Sequence, residues 1–164
     1  LIIGGVNVDN AIQDVEWTTI AFFMALFVVV GGLTETGVIK QVAAVIIERT
    51  AGHPVMMMLI LLWASALLSS FLNNIPFIAT LIPLVLALKA DGMDAEPLWW
   101  AISLGACLGG NGTMIGASAN VVLSDISTKH GYPITFKSYL RVGMPFMLGS
   151  VFISMVFLLV KYAI

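Results

Sequence analysis

Two short polar stretches lie inside long apolar segments of this chain. Residues 109–120 read GGNGTMIGASAN within an uncharged stretch over residues 97–124, and residues 73–76 read NNIP within an uncharged stretch over residues 54–88. Asparagine, threonine and serine supply neutral oxygens and amides, and glycine lets another chain or a ligand approach the backbone. Neutral oxygens suit a hard cation, such as Na⁺, that is held weakly and released again. The two stretches are therefore candidates for a small-ion site.

The placement of these stretches supports the same interpretation. A backbone group without a hydrogen-bond partner in hydrocarbon costs on the order of several kcal/mol. Irregular backbone at membrane depth is therefore tolerated only where it is buried in protein or lines a water-filled cavity. A broken helix offers carbonyls at one end, which suit a cation, and N–H groups at the other, which suit an anion. Two interrupted apolar segments that carry Asn and Thr indicate a secondary-transporter site. The alternative for Gly112 and Gly116 is close helix packing, because their spacing fits a small-xxx-small motif.

The candidate site consists of the polar side chains at the two breaks and the small residues that shape them. The predicted substrate- and ion-binding residues are Asn73, Asn74, Pro76, Thr80, Gly109, Gly110, Asn111, Gly112, Thr113, Gly116, Ser118 and Asn120. A Na⁺ ion is predicted at Asn74, Asn111, Ser118 and Asn120. No catalytic residue and no cofactor is predicted, apart from a coupling ion, Na⁺ or H⁺.

The composition requires a lipid environment for these stretches. The chain is 60% hydrophobic and 10% charged, whereas soluble domains carry about 25% charged residues. The net charge is −2 without a basic run, so nothing points to nucleic acid. The lipid bilayer is therefore the expected partner, and the chain is expected to be an integral, multi-pass protein of the cell (inner) membrane. It begins at Leu1 without a signal-peptide pattern, and we interpret it as a piece of a longer protein.

The apolar pattern predicts a single all-α membrane unit over residues 1–164. It divides into a span over residues 17–34, an amphipathic interfacial helix over 37–50, a hairpin over 54–88, a broken span over 98–128 and a span over 142–160. The second arm of the hairpin, residues 77–88, is about 18 Å long as a helix, which is short for a span. We therefore predict a re-entrant hairpin with NNIP at its tip, and two ordinary spans remain the alternative.

Three longer stretches carry a family resemblance: VEWTTIAFFMALFVVVGGLTETGVI, SALLSSFLNNIPFIATLIPLV and LGACLGGNGTMIGASANVV. Together they resemble the C-terminal half of the ion transporter superfamily. Within it, they resemble the branch of citrate transporter-like and arsenite efflux-like permeases that contains the melanosomal P protein. The resemblance extends over about residues 15–162, and the three stretches in this order are specific where the glycines alone are not.

The resemblance implies an architecture and a function. Members have two inverted repeats, each with a re-entrant hairpin followed by an unwound transmembrane helix, and bind substrate and coupling ion between the hairpin tip and the unwound stretch. This chain would supply one repeat, with its tip at residues 73–76 and its unwound stretch at residues 109–120. It would be half of a secondary active transporter that moves a small anion or exchanges cations. The missing repeat or another copy of the chain would complete the site.

One departure from the family pattern bears on coupling. Many relatives carry Asp-Asn at the hairpin tip, whereas this chain carries Asn73 and Asn74. The substitution removes an ionisable group and argues against proton coupling at this tip.

Two other function classes stay open at the level of sequence. An anion channel would use the same polar stretches but would need a continuous pore. An intramembrane serine protease would use Ser118 within GASA, which matches the surroundings of the rhomboid nucleophile, but it needs a histidine within hydrogen-bond reach. His130 lies in a polar connection instead, so the protease is the less favoured alternative.

Overall fold

The computed structural model describes residues 17–50 and 53–162, and every regular element in these ranges is an α-helix. The all-α class is therefore confirmed for the described part of the chain. The helices are α1 (Trp17–Glu35), α2 (Val38–Thr50), α3 (Pro54–Ser69), α4 (Asn74–Ala90), α5 (Ala95–Gly109), α6 (Ser118–Lys129) and α7 (Phe136–Tyr162).

Helix α7 is long and apolar enough to cross a membrane by itself, and it is the one continuous helix in the described ranges that meets this criterion. The segments Phe27–Glu35 and Lys40–Thr50 meet it together, with a bend of 67° between them. Pro54–Ser69 and Phe77–Ala90 are shorter apolar helices. The predicted spans over residues 17–34 and 98–128 and the re-entrant course of residues 54–88 therefore stay predictions.

The most extensive helix contact in the described chain joins α3 and α5, which run parallel. Gly105 lies against Leu62 and Ser65, and one turn later Gly109 lies against Ala66. The glycines make this contact possible, because a Cβ at either position would collide with the α3 backbone. The two helices therefore lie backbone to backbone.

Helix α4 occupies a different place from the one a simple hairpin predicts. It connects the C-terminal end of α3 to the N-terminal end of α5, so it runs antiparallel to both. It packs against α5 and α2 rather than against α3. The two arms of the predicted hairpin are thus separated by α5.

The start of α4 corrects the predicted hairpin tip. Asn73 is the N-cap, and its side chain accepts a hydrogen bond from the Ile75 N–H. Asn74, Ile75 and Pro76 consequently lie in the first turn of the helix, whereas the sequence predicts them at the tip of the hairpin, before the second arm. A proline is tolerated here because the first four N–H groups of a helix have no intrahelical partner. The connection between the arms is residues 70–73.

Helix α7 closes the bundle by running antiparallel to α3 and α5. The Trp63 indole N–H of α3 donates to the Met155 sulfur at 3.3 Å, and the Tyr162 hydroxyl donates to Glu96 of α5 at 2.7 Å. Buried apolar side chains of the three helices form the core between these contacts: Met57, Met58, Leu61, Leu62, Leu98, Ala101, Ile102, Met147, Val151 and Leu158.

The outer surface of the bundle is strongly apolar. On α7, the side chains of Ile153, Phe157 and Val160 are 71%, 55% and 61% exposed. Exposed apolar area on this scale is not stable in water and is typical of contact with lipid or with another protein segment. In α2, the apolar residues Val38, Val42 and Val45 are exposed together with the polar ones, so its predicted interfacial position stays a prediction.

The α3–α5 contact generates a stability prediction. We expect Gly105→Ala to lower the free energy of unfolding by about 1–3 kcal/mol, because the new methyl group overpacks against Leu62 and Ser65. Gly149→Ala on α7 is the matched control, because a Cβ there meets nothing within 4 Å. Thermal unfolding of the full-length protein in detergent measures both variants. Equal melting temperatures for the two would contradict the parallel packing.

Candidate functional site

Residues 110–117 form a non-helical segment between α5 and α6. The chain leaves α5 through tight turns, in which the N–H groups of Gly110, Asn111 and Gly112 donate to carbonyls three or four residues earlier at 2.8–3.2 Å. Among the described glycines, positive φ angles occur only at Gly37, Gly92 and Gly131. The glycines of the break are therefore present for close approach rather than for left-handed backbone.

Protein atoms fill the space beside three of these glycines. A Cβ on Gly112 would lie 2.9 Å from the Ser70 Cβ, and one on Gly116 would lie 2.7 Å from the Gly110 carbonyl and 2.8 Å from the Ser70 carbonyl. A Cβ on Gly109 would likewise collide with the backbone of Ala66. Their close packing is thus visible, whereas their predicted contribution to ligand access stays a prediction.

A buried hydroxyl ties the break to the end of α3. Thr113 is fully buried and donates its hydroxyl to the Ser70 carbonyl. Ser69, also fully buried, donates to the Ala106 carbonyl of α5 at 2.7 Å. The C-terminal ends of α3 and α5 are consequently held side by side at one level.

Asn120 joins the two sides of the break from α6. Its side-chain amide donates to the Gly110 carbonyl at 2.9 Å and to the Thr113 carbonyl at 3.2 Å. Both carbonyls lie outside a helix and have lost their helical partners, so the amide replaces the missing hydrogen bonds. Thr113 and Asn120 therefore act in this structure as groups that fix the shape of the break.

Three of the predicted ligands keep their polar groups available. The side chains of Asn74, Asn111 and Ser118 form no hydrogen bond to any other described residue. Asn74 and Asn111 are half-buried, and Ser118 is exposed in the first turn of α6, where the N-cap Ala117 makes no side-chain cap. These side chains have donors and acceptors that a solute is free to use.

The remaining predicted ligands bond locally. The Asn73 side chain accepts from Ile75 N–H at 3.3 Å, and the Thr80 hydroxyl donates to the Phe77 carbonyl at 2.7 Å, so both hydrogen bonds stay within the start of α4. The link between the two breaks instead runs through the Ser69 hydroxyl and the Ser70 carbonyl, and neither residue is among the predicted ligands. The Ser69 hydroxyl at the end of an apolar helix was the available signal, because the Ser70 hydroxyl bonds to the Leu67 carbonyl of its own helix.

Asn111 also faces a cavity of about 450 Å³ on the side of the break that faces α7. Its apolar wall is formed by Ile134, Val142 and Phe146, and Ser138 and Tyr139 lie beside them.

In the described ranges, no group of three or more His, Cys, Asp or Glu side chains is placed to hold a metal ion.

The geometry argues against the protease alternative. His130 is the C-cap of α6, and Ser118 is in its first turn, which puts them about 18 Å apart along the helix. His53 is the N-cap of α3, whereas Ser70, at the other end of that helix, lies beside Gly116 of the break. Since these are the two histidines of the sequence, the described chain forms no Ser–His dyad at Ser118.

The Thr113 contact generates a second prediction. We expect Thr113→Val to lower the free energy of unfolding by about 1–3 kcal/mol, because the Ser70 carbonyl loses its buried donor. Thr113→Ser keeps the hydroxyl and is expected to lose less. Thermal unfolding in detergent measures both variants. A valine variant as stable as the serine variant would show that this hydrogen bond does not contribute to the free energy of unfolding.

Relatives of the chain are known among membrane proteins. The P protein of Homo sapiens is 44% identical over 161 residues, which cover 93% of this chain and 19% of that protein. The 46 kDa membrane protein of Mycobacterium leprae is 36% identical over 167 residues, which cover 100% of this chain and 39% of that protein. A Mycobacterium tuberculosis protein named as an uncharacterized transporter is 38% identical over 166 residues, covering 99% of this chain and 38% of that protein. No solved structure matches the chain.

The chain thus spans about a fifth to two fifths of the length of these relatives. The family described as citrate transporter matches residues 1–105, which is more than half of the chain. Both findings confirm the resemblance drawn from the three quoted stretches and indicate a membrane protein. The chain belongs to the citrate transporter family.

Proposed function

We propose that the chain forms one half of a secondary active transporter that moves a small anion, or exchanges cations, with Na⁺ or H⁺ as the coupling ion. Membership of the citrate transporter family and a relative named as a transporter support this function. Because the chain spans 19% of the human P protein and 39% of the Mycobacterium leprae protein, a second repeat or another copy would supply the rest of the site.

The observation that carries the proposal is the side-by-side arrangement of the two helix ends. Thr113 and Ser69 hold the C-terminal ends of α3 and α5 at one level. Each of these ends is followed by a new helix N-terminus, at Asn74 for α4 and at Ser118 for α6. Carbonyl ends carry partial negative charge and N–H ends carry partial positive charge, so the arrangement supports a cation and an anion bound close together.

The polar groups at the breaks favour Na⁺ over H⁺ as the coupling ion. Asn74, Asn111 and Ser118 provide neutral oxygens without partners among the described side chains, and none of them titrates. The nearest carboxylate along the chain, Asp125, forms an exposed ion pair with Lys129 at 2.7 Å. A proton carrier would need a carboxylate or histidine at the breaks, and these residues supply none.

Removal of the polar group at either break tests the transport site. In the full-length protein reconstituted into liposomes, we expect Asn111→Leu and Asn74→Leu to abolish Na⁺-driven uptake of labelled citrate or benzoate while membrane insertion stays normal. Gln41→Leu is the matched control, because Gln41 is an exposed amide on α2 and belongs to neither break. Normal uptake in both asparagine variants would defeat the site assignment.

The coupling ion is tested separately, by adding Na⁺ or K⁺ to the protein without a substrate anion. At a Na⁺ concentration of about ten times its dissociation constant, we expect the full-length protein to gain about 1.4 kcal/mol of stability relative to K⁺ at equal ionic strength. The gain should disappear in Asn111→Leu. Equal stabilisation by the two ions would exclude a selective Na⁺ site.

A counterflow measurement separates a carrier from the channel alternative. Unlabelled substrate inside the liposomes accelerates entry of label through a carrier and has no such effect through a channel.

A further inference from the structure

The cavity beside Asn111 is separate from the packed side of the break. On one side of residues 110–117, Ser70 and Ala66 fill the space against α3. On the other side lies the cavity of about 450 Å³, between the break and the first turns of α7. This volume falls within the range of about 300–1,000 Å³ that is typical of small-molecule sites.

Gly143 sets the shape of this cavity. A Cβ there would lie 2.6 Å from the Asn111 carbonyl and 2.8 Å from the Tyr139 ring, so only glycine lets the break approach α7 so closely. The same approach brings Asn111 and Tyr139 together in the lining of one cavity.

Two neutral polar groups remain available on that lining. The Asn111 amide and the Tyr139 hydroxyl form no hydrogen bond to residues in the described ranges. The Ser138 hydroxyl, by contrast, already donates to the Thr135 carbonyl at 2.9 Å and accepts from the Thr135 N–H at 3.1 Å. A ligand would therefore be oriented by the amide and the phenol.

The rest of the described lining is apolar and uncharged. Ile134, Val142 and Phe146 form the wall, and the neighbouring cations Lys137 and Arg141 do not line the cavity. A ligand with several carboxylates would bury charges against this wall without a cationic partner among the described lining residues, which is strongly unfavourable. An apolar ring or short hydrocarbon body would instead be favoured by its removal from water.

We propose that this cavity receives the body of the transported substrate and selects a monoanion with an apolar body, such as an aromatic monocarboxylate, over a tricarboxylate. The inference rests on the proposed transport function, and it adds the substrate class. Asn111 takes part in both sites, because it belongs to the break and also lines the cavity.

Binding to the purified full-length protein tests the proposal, with benzoate and citrate as probes. We expect benzoate to bind at least tenfold more tightly than citrate, and Tyr139→Phe to weaken benzoate about three- to tenfold by removing one hydrogen bond. Citrate binding as tight as benzoate binding, or no benzoate binding because another protein segment fills the cavity, would overturn the proposal.

A charge placed on the wall provides a gain-of-function test. Val142 lines the cavity and is 72% exposed, so Val142→Arg is expected to shift the benzoate-to-citrate affinity ratio at least tenfold toward citrate. Val160→Arg is the matched control, because Val160 is also exposed on α7 but lies at its far end. A ratio that shifts equally in both variants, or in neither, would contradict the assignment of the cavity.

Transport assays distinguish this inference from the function on which it rests. Asn111-dependent uptake of citrate that benzoate does not inhibit would overturn the substrate class and leave the transporter in place. Benzoate binding that Tyr139→Phe weakens, without uptake of any tested anion, would retain the pocket and overturn the transport function.

Discussion

The buried hydrogen bond between the Thr113 hydroxyl and the Ser70 carbonyl is the contact on which the polar part of this structure depends. Helix α5 ends at Gly109 inside an uncharged, apolar stretch, and the backbone that follows it is packed around the fully buried Thr113. Such an ending is tolerated only if protein groups replace the lost hydrogen bonds. Thr113 does so toward α3, and Asn120 does so toward α6.

This requirement divides the polar side chains of the break into two kinds. Thr113 and Asn120 look like ligands in the sequence, but their donors are occupied by carbonyls of the chain itself. Asn111 and Ser118 differ only in having no such partner among the described residues. Residue type alone does not separate the two kinds, because the distinction depends on which carbonyl lies within reach after packing.

The apolar pattern was sufficient to predict the all-α class, because long uncharged apolar stretches follow from local composition, whereas the predicted spans and the unwound transmembrane helix stay predictions. It was not sufficient for the hairpin tip: Asn74 and Pro76 look like turn residues, yet they occupy the unpaired first turn of α4. Nor does local sequence show that the Ser69 hydroxyl donates to the Ala106 carbonyl across the interface. That contact depends on the parallel register of α3 and α5, which Gly105 and Gly109 permit and which local sequence does not specify.

The position of α5 between α3 and α4 has a consequence for biogenesis. Helices α3 and α4 are adjacent in sequence, yet each makes its most extensive contact with α5, which is synthesised after both. A neighbouring pair that lacks its own interface gains little from early association with each other. A nascent chain halted before residue 95 would therefore expose the faces that α5 later covers.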